Sequence, residues 1–342
     1  MRIAVVASPV APLRPAQLGG AQAFVSDLAS GLASRGHEVA LFCAQGSAVA
    51  GVRLVMVPVP PGAEAALIMP GGPVPAPSPV VDSAIETLFE LVRAWRPDMV
   101  SQHAFDAPAF RHEAGAPVLH TLHMPPLVPA VVEAVEAAPP QSLATVSRSC
   151  LASWRAAGVE VGRVLYNGVP DLPLGRDPVE MRALIAGRIS PEKGVEQGIA
   201  AGLAAGLAVT IAGAHYDPGY VVDLGKCENL GSLPRDELHR VMSRSAVTVC
   251  AVRWDEPFGM VAAEAQMAGC PVAAYRRGAL PEVVEEGVTG WLAEPDDVKG
   301  LAEAIRRCLS LDRGAVRASA RRRLGLEAAL DRYEAAFEEL SA

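Results

Sequence analysis

The 342-residue chain predicts an α/β fold built as two Rossmann-like, doubly wound domains. Three observations carry that expectation. Short apolar runs of strand length alternate with helically spaced runs along the chain, the pattern of βαβ units in parallel sheets. The chain is longer than one ordinary hydrophobic core supports. A turn- and proline-rich stretch at 167–178 separates two such alternations.

Taken in order, residues 3–7 are a continuous apolar run and read as a first buried strand. The run is too short for a signal peptide or a membrane span. A loop with Pro9, Pro12 and Pro15 leads to Gly19 and Gly20, after which Phe24, Leu28 and Leu32 recur four apart in a helix over 24–33. Gly36 ends that helix, and 39–43 is the next strand. Together these form a β-loop-α-β unit. A further strand is expected over 52–59, then a long loop over 58–79, where proline and glycine are dense. An amphipathic helix follows over 85–95, limited by Pro97, then strands over 99–103 and 117–123, each closing on a histidine. Past the boundary the alternation resumes: strand 183–189, helix 195–204, strand 209–212, helix 237–243, strand 246–252, helix 260–268, strand 271–274 and helix 301–310. A closing amphipathic helix covers 326–340. The expected domains are therefore 1–170, 171–325 and a terminal helix 326–342.

Composition narrows the function classes. Thirty basic against 38 acidic residues leave a net charge of −8. That balance speaks against a nucleic-acid partner, which needs a basic face, and against tight docking on an anionic membrane. Apolar residues make up 51% of the chain, enough for a large core. The six cysteines show no CxxC pairing, and several fall in apolar runs, as expected of reduced thiols in a cytoplasmic protein. Abundant Ala, Gly, Pro and Arg with little Lys suggest a high-GC coding source.

The most informative stretch is 253–264. Glu256 sits before a Pro257-Phe258-Gly259 turn, and Glu264 lies in the Ala-rich helical run that follows. A strand, a glycine-containing loop and a helix in that order focus backbone N–H groups and a positive dipole end on one point, an anion site suited to phosphate. A carboxylate just ahead of such a helix can reach a sugar hydroxyl, and one in its second turn can reach a ribose. The arrangement suits a nucleotide-sugar. Arg188 and Lys193 stand on the loop after the strand at 183–189, two cations able to neutralise a diphosphate. The bland alternative is a solvated loop with an internal Lys193–Glu192 pair. No DxD pattern is present, so charge neutralisation falls to side chains and helix ends.

Other motifs are weaker. Gly19 and Gly20 allow close backbone approach to a phosphate or sugar. They are not part of a GxGxxG fingerprint, and Gln45 and Gly46, not an acid, end the second strand, so a dinucleotide site is not expected. His103, His112, His120 and His123 lack the spacing and partners of a metal site. A single histidine at a strand end could bond a sugar hydroxyl; the alternative for His103 and His120 is a satisfied structural histidine. The run Arg313, Arg317, Arg321, Arg322, Arg323 reads as a solvated helix face.

Several of these segments together resemble the retaining glycosyltransferases of family 4, with the two-domain GT-B fold. The matching pieces are Gly19-Gly20 with its helix, Asn167-Gly168-Val169, the run Gly187 to Gly194, the Glu256-x7-Glu264 signature, Ala268 to Val272, and Gly278 to Val284 with Gly287-Val288-Thr289-Gly290. They span nearly the whole chain in family order. The resemblance implies two Rossmann-like domains facing across a cleft, with acceptor loops in the first and the donor site in the second. It implies that Arg188 and Lys193 hold the donor diphosphate and that Glu264 binds the ribose. Glu256 would contact the transferred sugar, and the backbone of Phe258, Gly259, Met260 and Val261 would bind sugar or phosphate. Gly19 and Gly20 would approach the phosphates, and His123 matches the family's active-site histidine. The implied reaction is metal-independent transfer of a sugar, with retention, from a nucleotide diphosphate donor, UDP foremost, to a small-molecule or oligosaccharide acceptor. No further cofactor is expected. Many members have Pro-Ser where Ala251-Val252-Arg253-Trp254 stands here. Compactness and composition fit the avilamycin-type oligosaccharide antibiotic enzymes. The rival expectations are a glycoside hydrolase using Glu256 and Glu264, a non-catalytic nucleotide-sugar binding homologue, and a GT-B epimerase of UDP-sugars.

Overall fold

A computed structural model of the chain describes residues 1–14, 19–63, 78–174, 177–215 and 219–342. The first half contains β1 (Arg2–Val6), α1 (Gly20–Ser34), β2 (Glu38–Ala44), β3 (Arg53–Val57), α2 (Pro79–Trp95), β4 (Met99–Gln102), β5 (Val118–Leu122), α3 (Pro129–Glu136), β6 (Leu143–Thr145), α4 (Arg148–Ala156) and β7 (Arg163–Val164). The second contains β8 (Glu180–Ala186), α5 (Val195–Ala204), β9 (Ala208–Ala212), β10 (Glu228–Asn229), α6 (Arg235–Arg244), β11 (Ser245–Cys250), α7 (Met260–Met267), β12 (Val272–Tyr275), α8 (Leu280–Val283), β13 (Gly290–Ala293), α9 (Val298–Cys308), α10 (Arg313–Leu324) and α11 (Leu326–Ser341).

The helix boundaries follow local chemistry. α2 begins at Pro79, earlier than the periodicity suggested, because proline suits the first helical position, where its missing N–H costs nothing. It stops at Arg96, in the left-handed region just ahead of Pro97. Ser147 caps α4 by accepting the Cys150 N–H at 2.9 Å. Asp297 and Asp312 cap α9 and α10 in the same way. Most of the long loop expected over 58–79 lies outside the described residues. The elements between 124 and 166 were not foreseen: β6 and β7 have three and two residues, too few for a period to show.

Every strand pairing is parallel. The first sheet has order β3-β2-β1-β4-β5-β6-β7, and the second β10-β9-β8-β11-β12-β13. Both are doubly wound orders in which the winding reverses once, between β1 and β4 and between β8 and β11. Helices cover both faces of such sheets, so the central strands are buried throughout: β1 is buried from Ile3 to Val6 and β11 from Ser245 to Cys250. The second core centres on Ala183, Val209, Val247, Val249, Tyr275 and Ile305. The first is split by its sheet into a cluster under α2 with Phe42 and Phe89, and another with Leu122, Leu143 and Trp154.

The chain divides into two compact units. The first holds β1, Ala21–Asn167 and Ala329–Ala342; the second holds Gly168–Ala328 together with Gly20. The terminal helix α11 thus starts in the second unit and finishes in the first. There it buries Leu330, Tyr333 and Phe337. Leu330 rests on Gly31 of α1, and the Tyr333 hydroxyl shares a 3.0 Å hydrogen bond with the Thr121 hydroxyl. Arg35 clamps the outer face through Asp331 at 2.8 Å and Glu334 at 2.6 Å. No helix among the described residues is long and apolar enough to cross a membrane. All six cysteines are unpaired thiols. Leu330→Ala should leave a cavity under α11 and destabilise the protein by about 2–5 kcal/mol. A lowered thermal midpoint with helical content unchanged at 20 °C or so is the expected readout; an unchanged midpoint would show that α11 adds no stability.

Candidate functional site

In an open parallel sheet, ligands bind beyond the carboxyl ends of the strands where the winding order reverses. In the second unit that point lies between β8 and β11. The loop after β8 carries Arg188 and Lys193, and the loop after β11 carries Glu256. The pairing closes 63 residues of sequence: Lys193 Nζ lies 2.8 Å from Glu256 Oε2. The Trp254 indole N–H donates to the same oxygen at 2.8 Å, and the Lys193 ammonium lies 5.6 Å from the Trp254 ring centre. Lys193 and Glu256 keep 18% and 14% of their side-chain surface exposed.

The expected Lys193–Glu192 alternative is not what forms. Glu192 is buried and accepts from the Ser190 hydroxyl at 2.7 Å and from Arg188 at 3.3 Å. Its carbonyl accepts the Arg253 N–H at 2.8 Å, tying the two loops together. Gly194 makes this join possible: its φ is +60°, and a Cβ there would collide with the Ala251 carbonyl.

α7 starts directly after the Glu256 loop, with Gly259 at φ +95° in the cap position. The first intrahelical bond is Ala263 N–H to the Gly259 carbonyl, so the helix itself does not use the N–H groups of Met260 and Val261. Phe258 and Met260 are buried, and Val261 is partly buried. Gly20 groups with this unit; a Cβ added to it would stand 2.7 Å from Met260 Cγ, so only a bare backbone fits against the head of α7. Gly19 precedes it and is partly buried. Glu264, in the second turn, pairs with Arg235 at 2.8 Å. The structure therefore gathers Arg188, Lys193, Glu256, Glu264 and the amino end of α7 at the mouth of one sheet. Trp254 and Glu192 join them from the two motifs already singled out, and Arg235 joins without a sequence signal, for it lies 29 residues before its partner and only the fold joins them.

In the first unit, His123 follows β5 and His103 follows β4. His103 Nδ1 and His123 Nε2 are 2.9 Å apart, and Ser101 Oγ is 2.9 Å from His103 Nε2. Burial lowers the pKa of His103, with the neighbouring His123 and His120 adding to the effect, and burial takes His123 down to about 4. His120 stacks on Phe110 at 5.1 Å and is likewise pushed down to about 4 by burial. His112 stacks on Phe89. Among the described residues no three His, Cys, Asp or Glu side chains gather in a metal-holding group.

The arginine run is only in part the solvated face expected: Arg321 and Arg322 are exposed, whereas Arg313, Arg317 and Arg323 are partly buried. Arg313 donates to the carbonyls of Ser243 and Ser245, Arg317 and Arg321 share Asp171, and Arg323 donates to the carbonyls of Glu282 and Val283. Arg313, Arg317 and Arg321 line a cavity of about 350 Å³ with Leu174 and Ser243, away from the β8 and β11 loops. The difference comes from α10 packing on α7 and on the chain near 171, which turns Arg313 and Arg317 inward.

Two family models match. Residues 18–171 match one described as glycosyltransferase family 4, and residues 174–328 match glycosyl transferases group 1. A D-inositol 3-phosphate glycosyltransferase of Mycobacterium sp. (strain KMS) is 36% identical over 150 residues, covering 40% of this chain and 34% of that protein. The chain thus spans about a third of the length of that relative. A glycogen synthase of Mycobacterium tuberculosis is 29% identical over 64% of this chain and 61% of its own. Among solved structures, AviGT4, a glycosyltransferase involved in avilamycin A biosynthesis, superposes with a TM-score of 0.77 at 21% identity, covering 99% of this chain and 98% of its own. Anabaena Alr3699/HepE in complex with UDP-glucose does so with a TM-score of 0.74 at 20% identity, covering 99% and 100%. These superpositions fix the fold as GT-B.

The buried histidines set a pH dependence. In the unfolded chain His120 and His123 titrate near 6.5, whereas the folded protein holds them to about 4. Below 6.5 the unfolded state binds more protons, so the stability tied to these neutral rings is intact above that pH. It is lost as pH falls towards about 4, by up to about 3 kcal/mol per ring. The urea midpoint should therefore fall across that window, and a His120→Asn variant should show a shallower fall; parallel profiles would contradict burial as the cause.

Proposed function

We infer a glycosyl transfer from one premise: the chain belongs to glycosyltransferase family 4 and has the GT-B fold. The proposed reaction moves a sugar from a nucleotide diphosphate donor, UDP foremost, to an acceptor hydroxyl with retention at the anomeric carbon. The observation that carries this reading is the meeting of Arg188, Lys193 and the amino end of α7 beside Glu256 and Glu264, at the mouth of β8 and β11. Cations and a helix end answer a diphosphate, and the two carboxylates answer hydroxyls. The solved complex of HepE with UDP-glucose supports the choice of UDP.

In this reading the donor diphosphate displaces Glu256 from Lys193, and Glu256 turns to a hydroxyl of the transferred sugar. Glu264 takes the ribose while keeping Arg235 as its counter-charge. The bond from the anomeric carbon to the β-phosphate oxygen breaks, and the charge that develops on that oxygen falls to Lys193, Arg188 and the N–H groups of Gly259, Met260 and Val261. Fixed donors aimed at a developing charge are the strongest catalytic device available without a metal. The acceptor oxygen bonds to the same face of the anomeric carbon, and its proton passes to the departing diphosphate. A soluble oligosaccharide or secondary-metabolite acceptor, handled in the cytoplasm, fits the acidic charge balance and the reduced thiols.

A panel of UDP, GDP, ADP and dTDP in thermal-shift measurements tests the donor site. UDP should stabilise the wild type selectively. Glu264→Ala should weaken UDP roughly 10- to 100-fold, the cost of losing a charged hydrogen-bond partner. No shift with any nucleotide would remove the reading. With UDP-glucose as probe, Lys193→Ala should lower kcat on the order of 10²-fold or more; near-normal turnover would take away its role. UDP binding with no donor consumed would favour the non-catalytic homologue, and a change in the donor's sugar would favour the epimerase.

A further inference from the structure

We propose that the arginine-lined cavity beside α10 binds a small organic phosphate monoester, at a second site within the second unit. The site stands apart from the glycosyl-transfer reading and does not rest on it. Arg313, Arg317 and Arg321 all stand on the cavity wall, four residues apart along α10. That spacing puts the three guanidiniums on one face of the helix.

Their charge is only partly compensated. Arg313 directs its two terminal nitrogens at neutral carbonyls, those of Ser245 at 2.8 Å and Ser243 at 2.7 Å. Arg317 and Arg321 share the two oxygens of one carboxylate, Asp171. Among the described residues no acid lines the cavity. Three guanidiniums therefore meet one carboxylate, an excess of two positive charges. Donors are also left over. A guanidinium carries five N–H groups, so Arg313 keeps some beyond its two carbonyl bonds. The Arg317 Nε is buried without a partner. The Gly314 N–H lies on the same wall in the first turn of α10, where the helix itself does not use it. Unused donors and uncompensated guanidiniums around one space suit an oxyanion. Asp171 shows that Arg317 and Arg321 already converge on a single one.

Shape and charge narrow the ligand. The space of about 350 Å³ takes on the order of ten waters, more than a bare phosphate fills. Leu174, Ala268 and Ala318 give it an apolar wall beside the arginines. Leu174 is 43% exposed, an apolar surface that a carbon skeleton would cover. A phosphate monoester carries close to two negative charges at neutral pH, which matches the excess, and its three free oxygens match three guanidiniums. The cavity reaches Ala268 and Gly269 just past the end of α7, whose first residue, Met260, is at the donor site about 12 Å away along the helix. The two sites thus lie at opposite ends of one helix.

Calorimetry on the full-length protein with ribose 5-phosphate tests the site, with ribose, inorganic phosphate and succinate as controls. One ribose 5-phosphate per chain should bind saturably. Inorganic phosphate and succinate should each bind about 10-fold more weakly or worse, the first for want of the apolar contact and the second for want of a three-oxygen head. Ribose should give no heat. Arg321→Ala removes a half-exposed side chain and should weaken the ester roughly 10- to 100-fold with the thermal midpoint unchanged. Ala318→Leu keeps every arginine but fills the space from an exposed helix position, and should weaken it comparably. Asp171→Asn removes the competing carboxylate and should tighten binding several-fold. Lys193→Ala should leave the affinity as it is. The proposal is overturned if ribose 5-phosphate does not bind, if either control anion binds as tightly, or if Arg321→Ala or Ala318→Leu binds like the wild type. Weaker binding in Asp171→Asn would also overturn it, as would loss of binding in Lys193→Ala, which would seat the ester at the donor site.

Discussion

The lateral pairing of β8 with β11 is the constraint on which the donor side depends. It makes neighbours of two loops that lie far apart in sequence, and the reversal of winding between them leaves the space beyond their ends uncovered by a crossover. Everything proposed for the second unit uses that juxtaposition. Lys193 and Glu256 meet because their strands are adjacent, and the backbone tie from Arg253 to Glu192 holds the loops at one separation. Gly194 sits at the narrowest point of the tie and has no room for a side chain. Rigid strands set the position, and the loops only present the charges.

The charges themselves are stored in pairs. Lys193 is held by Glu256, Arg188 by Glu192, and Arg235 by Glu264. Partly buried ions left alone would be expensive, and pairing removes most of that cost while keeping each group available for exchange. In the proposed reaction a diphosphate would meet cations already compensated, so Glu256 would have to leave Lys193 and would then stand ready to accept a hydrogen bond from a sugar hydroxyl.

Much of this was legible in the sequence, and the reasons differ by element. β1 and β11 are buried on both faces, so each reads as an apolar run that needs no partner to be recognised, and β8 shows the same only over its buried centre at 183–185. The cations at 188 and 193 and the carboxylate at 256 were visible because each stands in the short loop after an apolar strand run, and Glu264 because it falls in the second turn of the helix that follows such a loop. β6, β7 and β10 were not visible, for two or three residues carry no period. Nor were the partners. Arg235 with Glu264, the Ser101-His103-His123 chain, and Arg317 of α10 paired with Asp171 all depend on contacts that no local pattern encodes. The arginine run shows the limit well: its helical spacing was readable, and the inward turn of Arg313 and Arg317 was not.

The terminal helix has a consequence for how the protein is made. Tyr333 closes a hydrogen bond 212 residues back at Thr121, and Arg35 reaches nearly 300 residues forward to Asp331. The unit that begins first is therefore the unit that finishes last. On the ribosome its sheet can assemble early, yet the groove between α1 and β5 stays open, with Phe24 and Thr121 uncovered, until the last turns of α11 emerge. The second unit, contiguous from Gly168 to Ala328, has no such delay. Long loop closure of this kind is slow relative to local structure. Synthesis order and folding order thus run in opposite senses, and the first half of the chain spends translation as an incomplete domain with an exposed apolar groove.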